Sequence, residues 1–170
     1  MNALEFELEL KKRKLKEKKD RKHFLAGLLL WICFLWLLLH ELLGIAFVEG
    51  DSMRPAYQEG DLLLYQRRFY GEPDYGDVMI LRMGTAKDSI SMIKRIAGRP
   101  GDVIAMDDEG HLTRNGTAVK ESEVIYGSQW GDAGAASPCT VPEGRYFYLG
   151  DNRPVSLDSR VLGTVRAEDI

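Results

Sequence analysis

Apolar residues fall along this chain in two rhythms. From Phe24 to Val48, "FLAGLLLWICFLWLLLHELLGIAFV" carries one charge, Glu41, in 25 residues, and none from Phe24 to Leu39. A helix rising about 1.5 Å per residue crosses a hydrocarbon core with roughly 20 apolar residues. Residues 24–48 are therefore predicted to form one transmembrane helix, with His40 and Glu41 near the far headgroups. A cleaved secretory signal shares this basic-then-apolar order, and Gly44-Ile45-Ala46 offers a small-x-small site. The Leu/Trp-rich run and the 23 residues before it are both longer than such a signal needs. A buried core helix is the third alternative, and the length of the run argues against it.

After Val48 the helical period gives way to short β-rich runs: "DLLLYQRR", "DVMILRM", "SISMIKRIAG", "DVIAM", "HLTRN", "TAVK", "RYFYLG" and "GTVRA". Turn residues separate them, among them Glu59-Gly60-Asp61, Arg99-Pro100-Gly101-Asp102 and Glu143-Gly144. Asn115-Gly116 is a type I′ hairpin signal. Many short strands without helical patterns between them predict a mainly β, antiparallel domain over residues 49–170. The small-residue stretch "YGSQWGDAGAASP", residues 126–138, is predicted to be an exposed loop. The expected organisation is a basic segment 1–23, a transmembrane helix 24–48 and a β-rich domain 49–170. Ser52 would then lie four residues past the last apolar position of the helix.

Charge gives this organisation a direction. Residues 11–22 hold nine Lys/Arg against two acids, which predicts a cytoplasmic N-terminus and an extracytoplasmic β domain. The same run can be a solvated helical face resting on anionic lipid. Residues 1–48 carry a net charge near +3 and residues 49–170 near −6. A domain that acidic is a poor nucleic-acid binder, so nucleic acid is not an expected partner. Cys33 and Cys139 would lie on either side of a membrane boundary, so no disulfide is expected. With neither CxxC nor HExxH present, neither a metal nor a cofactor is expected.

Candidate chemistry begins at "GDSMRPAYQEGD", residues 50–61, where Ser52 sits in a turn-like setting. A serine hydroxyl needs a neighbouring base. The β domain has one histidine, His111, on a hairpin flank where a solvated surface residue is the ordinary reading. Lys94, in "SISMIKRIAGRPGD", shares a strand face with Met92 and Ile96. A lysine withdrawn from water loses its preference for the charged form and becomes a usable base. Pattern alone favours the ordinary alternative, in which the side chain reaches solvent from a strand edge. A rival is the literal S-x-x-K of Ser91-Met92-Ile93-Lys94, an acyl-serine enzyme motif that needs both residues on one helical turn. In β structure they would face opposite ways, and no KTG or SDN follows.

"GDSMRP", "GDVMIL", "IKRIAGRPGD" and "GDNRPVSLDSR", in that order after an N-terminal apolar helix, closely resemble bacterial type I signal peptidases from Gly50 to about Val165. The resemblance implies a serine endopeptidase of the bacterial plasma membrane, with Ser52 as nucleophile and Lys94 as general base. It further implies that Ser156 hydrogen-bonds the lysine amine, and that Arg95, Asp151, Asp158 and Arg160 form charged pairs bracing the site. Some members carry a serine two positions before the nucleophile, where this chain has Gly50. The oxyanion would then rest on the Ser52 N–H and a backbone group or water near Gly50. Val48, Met53, Met92 and Ile93 are candidate walls for shallow substrate pockets, or simply core. The implied partners are secretory preproteins with small-x-small cleavage sites and the lipid bilayer. Two alternatives remain: an inactive anchored β module that binds signal sequences, and a self-cleaving SOS-type repressor, which would carry a DNA-binding head in place of the apolar helix.

Overall fold

The computed structural model of the chain describes residues 3–67, 71–84, 88–107, 109–127 and 137–170, so most of the predicted loop 126–138 lies outside the described residues. The chain forms two compact units, residues 1–44 with 65–69, and residues 45–64 with 70–170.

The first unit is dominated by α1, a single helix from Ala3 to Leu42 that is about 60 Å long at the usual rise. It runs unbroken from the basic segment into the apolar one, because Lys, Arg, Glu and Leu are all good helix formers. Its apolar side chains, Leu28 to Leu39 among them, are exposed. It is the one helix among the described residues long and apolar enough to cross a membrane. The expected boundary at Val48 is corrected: the helix ends at Leu42 and Leu43–Phe47 is a strand, β1. Gly44 is a poor helix residue, and its missing side chain admits the Tyr65 ring, which lies 2.2 Å from where a Cβ would sit. β1 pairs with β2 (Leu62–Gln66) as a two-stranded ribbon. Ser52 therefore follows the helix by ten residues, not four.

The second unit is mainly β and antiparallel, as its turn-punctuated runs predict. One sheet has the order β10-β9-β4-β3, built from Val165–Arg166, Arg145–Leu149, Ser89–Gly98 and Val78–Gly84. The other has the order β7-β6-β5-β8, from Thr117–Ala118, Leu112–Arg114, Val103–Met106 and Cys139–Thr140. Besides β1, three elements went unforeseen: β8, the short helix α2 (Ser159–Leu162) and a closing 3-10 turn at Ala167–Asp169. Each is too short to carry a period.

β9 explains how the layers join. Its alternation sends Tyr146 and Tyr148 into a cluster with Leu81, Ile96 and Val165, and Phe147 and Leu149 into a second cluster with Ala97, Ile104, Leu112 and Val141. A strand buried on both faces reads as a continuous apolar run, and "YFYL" does. β4 shares both clusters, and a bulge between Ile96 and Gly98 shifts its register against β9. Gly98 lets the second sheet close in, since a Cβ there would lie 2.8 Å from Ile104.

Phe147→Ala should lower unfolding free energy by about 3–5 kcal/mol, against under about 1 kcal/mol for the partly exposed Val103→Ala. Urea unfolding followed by near-UV circular dichroism measures both. Equal small losses would contradict a core hinged on β9.

Candidate active site

Ser52 stands in the turn Asp51–Arg54, closed by the Arg54 N–H donating to Asp51 O at 3.2 Å. Val48 anchors the segment before it, donating to Asp61 O and accepting from Gly60 N–H, both at 2.9 Å. Gly50 has φ +78, a backbone region that suits glycine. Lys94 comes from the middle of β4, paired with Met79 of β3. Strand alternation gives it the face of Ile96, and only 4% of it is exposed.

The two side chains meet: Lys94 Nζ donates to Ser52 Oγ at 2.7 Å and to Ile93 O at 3.1 Å. Burial disfavours the ammonium and pushes the lysine pKa below its ordinary value, against the raising pull of Asp158 and Asp151. A 2.7 Å contact also suits the reverse bond, with the hydroxyl donating to a neutral amine. Ser91 is exposed at the rim of the same cleft but sits on strand β4 rather than one helical turn from Lys94 and does not bond its amine, so the S-x-x-K geometry is not formed. His111 lies outside the cleft that holds Ser52 and Lys94, its Nδ1 3.0 Å from Asp107 Oδ2 in an exposed turn.

Around this pair the "GDNRPVSLDSR" segment folds into a charged frame. Arg95 grips Asp151 with Nε to Oδ1 at 2.8 Å and Nη2 to Oδ2 at 2.7 Å, and its Nη1 donates to Gly76 O at 2.8 Å. Arg160 grips Asp158 in the same bidentate way at 2.8 and 2.9 Å and also donates to Arg153 O. Asp158 caps α2 by accepting from the Arg160 N–H, and it accepts the Gly150 N–H at 3.1 Å. Fork-to-carboxylate pairs fix direction as well as distance. In such buried pairs the desolvation cost offsets much of the attraction, so their use here is geometric.

Ser156 departs from expectation. Its Oγ is buried and has no hydrogen-bond partner, so the implied bond to Lys94 is not formed. The amine is already engaged by Ser52 and Ile93. Ser156 Oγ occupies the space beside Gly150, 2.2 Å from where a Cβ would sit, and Ser52 O is 2.5 Å from the same point. Gly150 is thus required by close approach, a role that the sequence alone did not reveal.

Arg153, Glu121 and Asn152 were also not anticipated. Buried Arg153 pairs with Glu121 and donates from Nε to Gly150 O at 3.0 Å. Asn152 donates its backbone N–H to Ser52 O at 3.0 Å and its Nδ2 to Asp51 O at 3.1 Å. No spacing in the sequence says which backbone such a residue holds.

The expected wall residues divide by burial. Val48 and Met53 are buried, whereas Met92 and Ile93 are only partly so. All four line an open cleft of about 830 Å³ that also contains Ser52, Lys94, Ile80, Val155 and Leu157.

A family described as signal peptidase, peptidase S26, matches residues 21–170. Signal peptidase I T of Bacillus subtilis (strain 168) is 37% identical over 167 residues, covering 90% of this chain and 83% of that relative. Signal peptidase I of Bacillus licheniformis is 40% identical over 124 residues, covering 66% of this chain and 63% of that relative. A crystal structure of a signal peptidase I from Enterococcus faecalis V583 aligns with a TM-score of 0.45 at 28% identity, over 58% of this chain and 93% of that one. With the family match extending over nearly the whole chain, this protein belongs to the signal peptidase family, peptidase S26.

Proposed function

We propose that the chain is a membrane-anchored serine endopeptidase that removes N-terminal signal peptides from exported preproteins, with Ser52 as nucleophile and Lys94 as general base. The observation that carries this reading is the buried Lys94 amine lying 2.7 Å from the Ser52 hydroxyl. Neutral Lys94 takes the hydroxyl proton as Oγ adds to the scissile carbonyl carbon, and the carbonyl π pair moves onto oxygen. The Ser52 N–H stabilises that oxyanion. Lys94 then protonates the leaving amine nitrogen as the C–N bond breaks, leaving an acyl ester on Ser52. A water that gives its proton to Lys94 attacks the ester, and Ser52 leaves with the proton returned to it.

Ser156 acts by packing at the site, and Arg95, Asp151, Asp158 and Arg160 brace it without reacting. Partly exposed Met92 and Ile93, with Val155 and Leu157, are better placed to meet substrate side chains than buried Val48 and Met53, which hold the wall up. Shallow apolar contacts of this kind suit the small residues of a small-x-small cleavage site. The apolar part of α1 supports anchoring in the bacterial plasma membrane, and the Lys/Arg run supports a cytoplasmic N-terminus with the β domain outside. Anchoring raises the effective concentration of the site for substrates that are themselves held in the membrane.

Ser52→Ala and Lys94→Arg should both abolish cleavage of a labelled preprotein while leaving the circular dichroism spectrum native, because arginine keeps the charge yet does not deprotonate. In the wild type, kcat/KM should rise with pH through the lysine pKa, with a midpoint below 10.5. Cleavage retained by Lys94→Arg, or a rate falling as pH rises over that range, would contradict the assignment.

Removing residues 1–42, which leaves β1 and the Val48 anchor in place, should reduce cleavage of membrane-inserted preprotein far more than cleavage of a short peptide. Parallel assays in vesicles and in solution measure the two, and equal losses would count against positioning by the helix.

A further inference from the structure

We infer that Asn152 is a positioning residue for the oxyanion donor: its side-chain amide sets the plane of the Asp51–Ser52 peptide and thereby aims the Ser52 N–H. The inference rests on the reading of Ser52 as nucleophile and adds a part to it. A trans peptide is planar, with its C=O and N–H pointing in opposite directions. The Asp51–Ser52 bond is trans, so whatever holds Asp51 O also fixes the opposite direction of Ser52 N–H. Asn152 Nδ2 holds that oxygen at 3.1 Å, from a residue 101 positions away in sequence. Since Asp51 O only accepts, the amide must present its NH2 group to it. The Ser52 N–H itself has no hydrogen-bond partner among the described residues, leaving it available to a developing negative charge.

An external strut is needed here. Upstream lies Gly50, at φ +78, where an added Cβ would meet nothing within 4 Å. It constrains the turn neither by its own conformation nor by packing. Within the turn, Asp51 O receives one local bond, from Arg54 N–H at 3.2 Å. Asn152, by contrast, is fixed on every side of its backbone. Its N–H donates to Ser52 O, and its carbonyl accepts from Ser156 N–H at 3.0 Å and Val155 N–H at 3.3 Å. It also forms a parallel bridge with Ile125, whose neighbouring bonds run to Asp151 O and from Arg153 N–H. One rigid residue thus holds two successive carbonyls of the nucleophile turn. A donor fixed before substrate arrives needs no reorganisation during reaction, which is where such a group gains its effect.

The test is steady-state cleavage of a peptide with a small-x-small site by the full chain carrying Asn152→Ala or Asn152→Asp. Both keep the backbone bond to Ser52 O and lose the amide donor, and the aspartate sets an acceptor against Asp51 O. Removing a whole oxyanion donor costs about 100- to 1,000-fold in kcat, so misaiming one should cost about 10- to 100-fold, with KM changed by less than about threefold. Because Asn152 does not touch Lys94, the acid limb of the Asn152→Ala pH profile should stay where it is in the wild type. The inference is overturned if both variants retain kcat within about threefold, if the loss appears in KM, or if activity falls only in step with a lowered melting temperature. Ser52→Ala in the same assay separates the two levels. If it still cleaves, the reading of the site fails; if it is inactive while Asn152→Ala matches wild type, only the role of Asn152 fails.

Discussion

The site depends on one constraint: a lysine amine held out of water against a single hydroxyl. In water a lysine is an inert cation near neutral pH. Inside β4, with 4% of its surface exposed, Lys94 has nothing like bulk water to solvate its charge, and burial outweighs the pull of two carboxylates nearby. Those carboxylates are prevented from stabilising the ammonium further by being committed elsewhere, Asp151 to Arg95 and Asp158 to Arg160. The arginines thus consume negative charge that would otherwise pull the lysine pKa up. The linkage has a definite sign. A lysine whose folded pKa is depressed binds fewer protons folded than unfolded across the interval up to its ordinary value, so its contribution to stability rises with pH there.

The rest of the fold serves that contact. β9 is buried on both faces and fixes β4 between β9 and β3, which sets where Lys94 emerges. The loop after β9 then returns to the Ser52 turn, where Gly150 has no side chain to keep Ser52 and Ser156 away. Ser52, Lys94 and the charged frame come from three segments far apart in sequence, and Asn152 joins the first to the last through one backbone and one side-chain hydrogen bond.

Much of this was legible in the sequence because the strands are punctuated by glycine turns and alternate with period two. Ser89–Gly98 and Arg145–Leu149 form over the runs that predict them. The face shared by Lys94 and Ile96 also followed from alternation, though pattern alone could not say whether the amine was buried or merely edge-lying. Three features were misread or hidden. The helix stops at Leu42, because Gly44 and its packing against Tyr65 override the apolar composition of the next residues. Ser156 does not bond Lys94, since a hydroxyl's partner depends on ångström-scale placement that no motif encodes. Asn152 and Gly150 make their contacts between distant loops, which leave no periodic trace in the chain.

The most direct measurement is the titration of the Lys94 side chain itself, by NMR of the full chain with isotope-labelled lysine and Lys94→Met to assign the signal. The account predicts a Lys94 pKa clearly below the ordinary 10.5, moving back toward that value in a variant with the site opened to water. A Lys94 that titrates at or above 10.5 in the intact protein would contradict it, because the hydroxyl of Ser52 would then have no base.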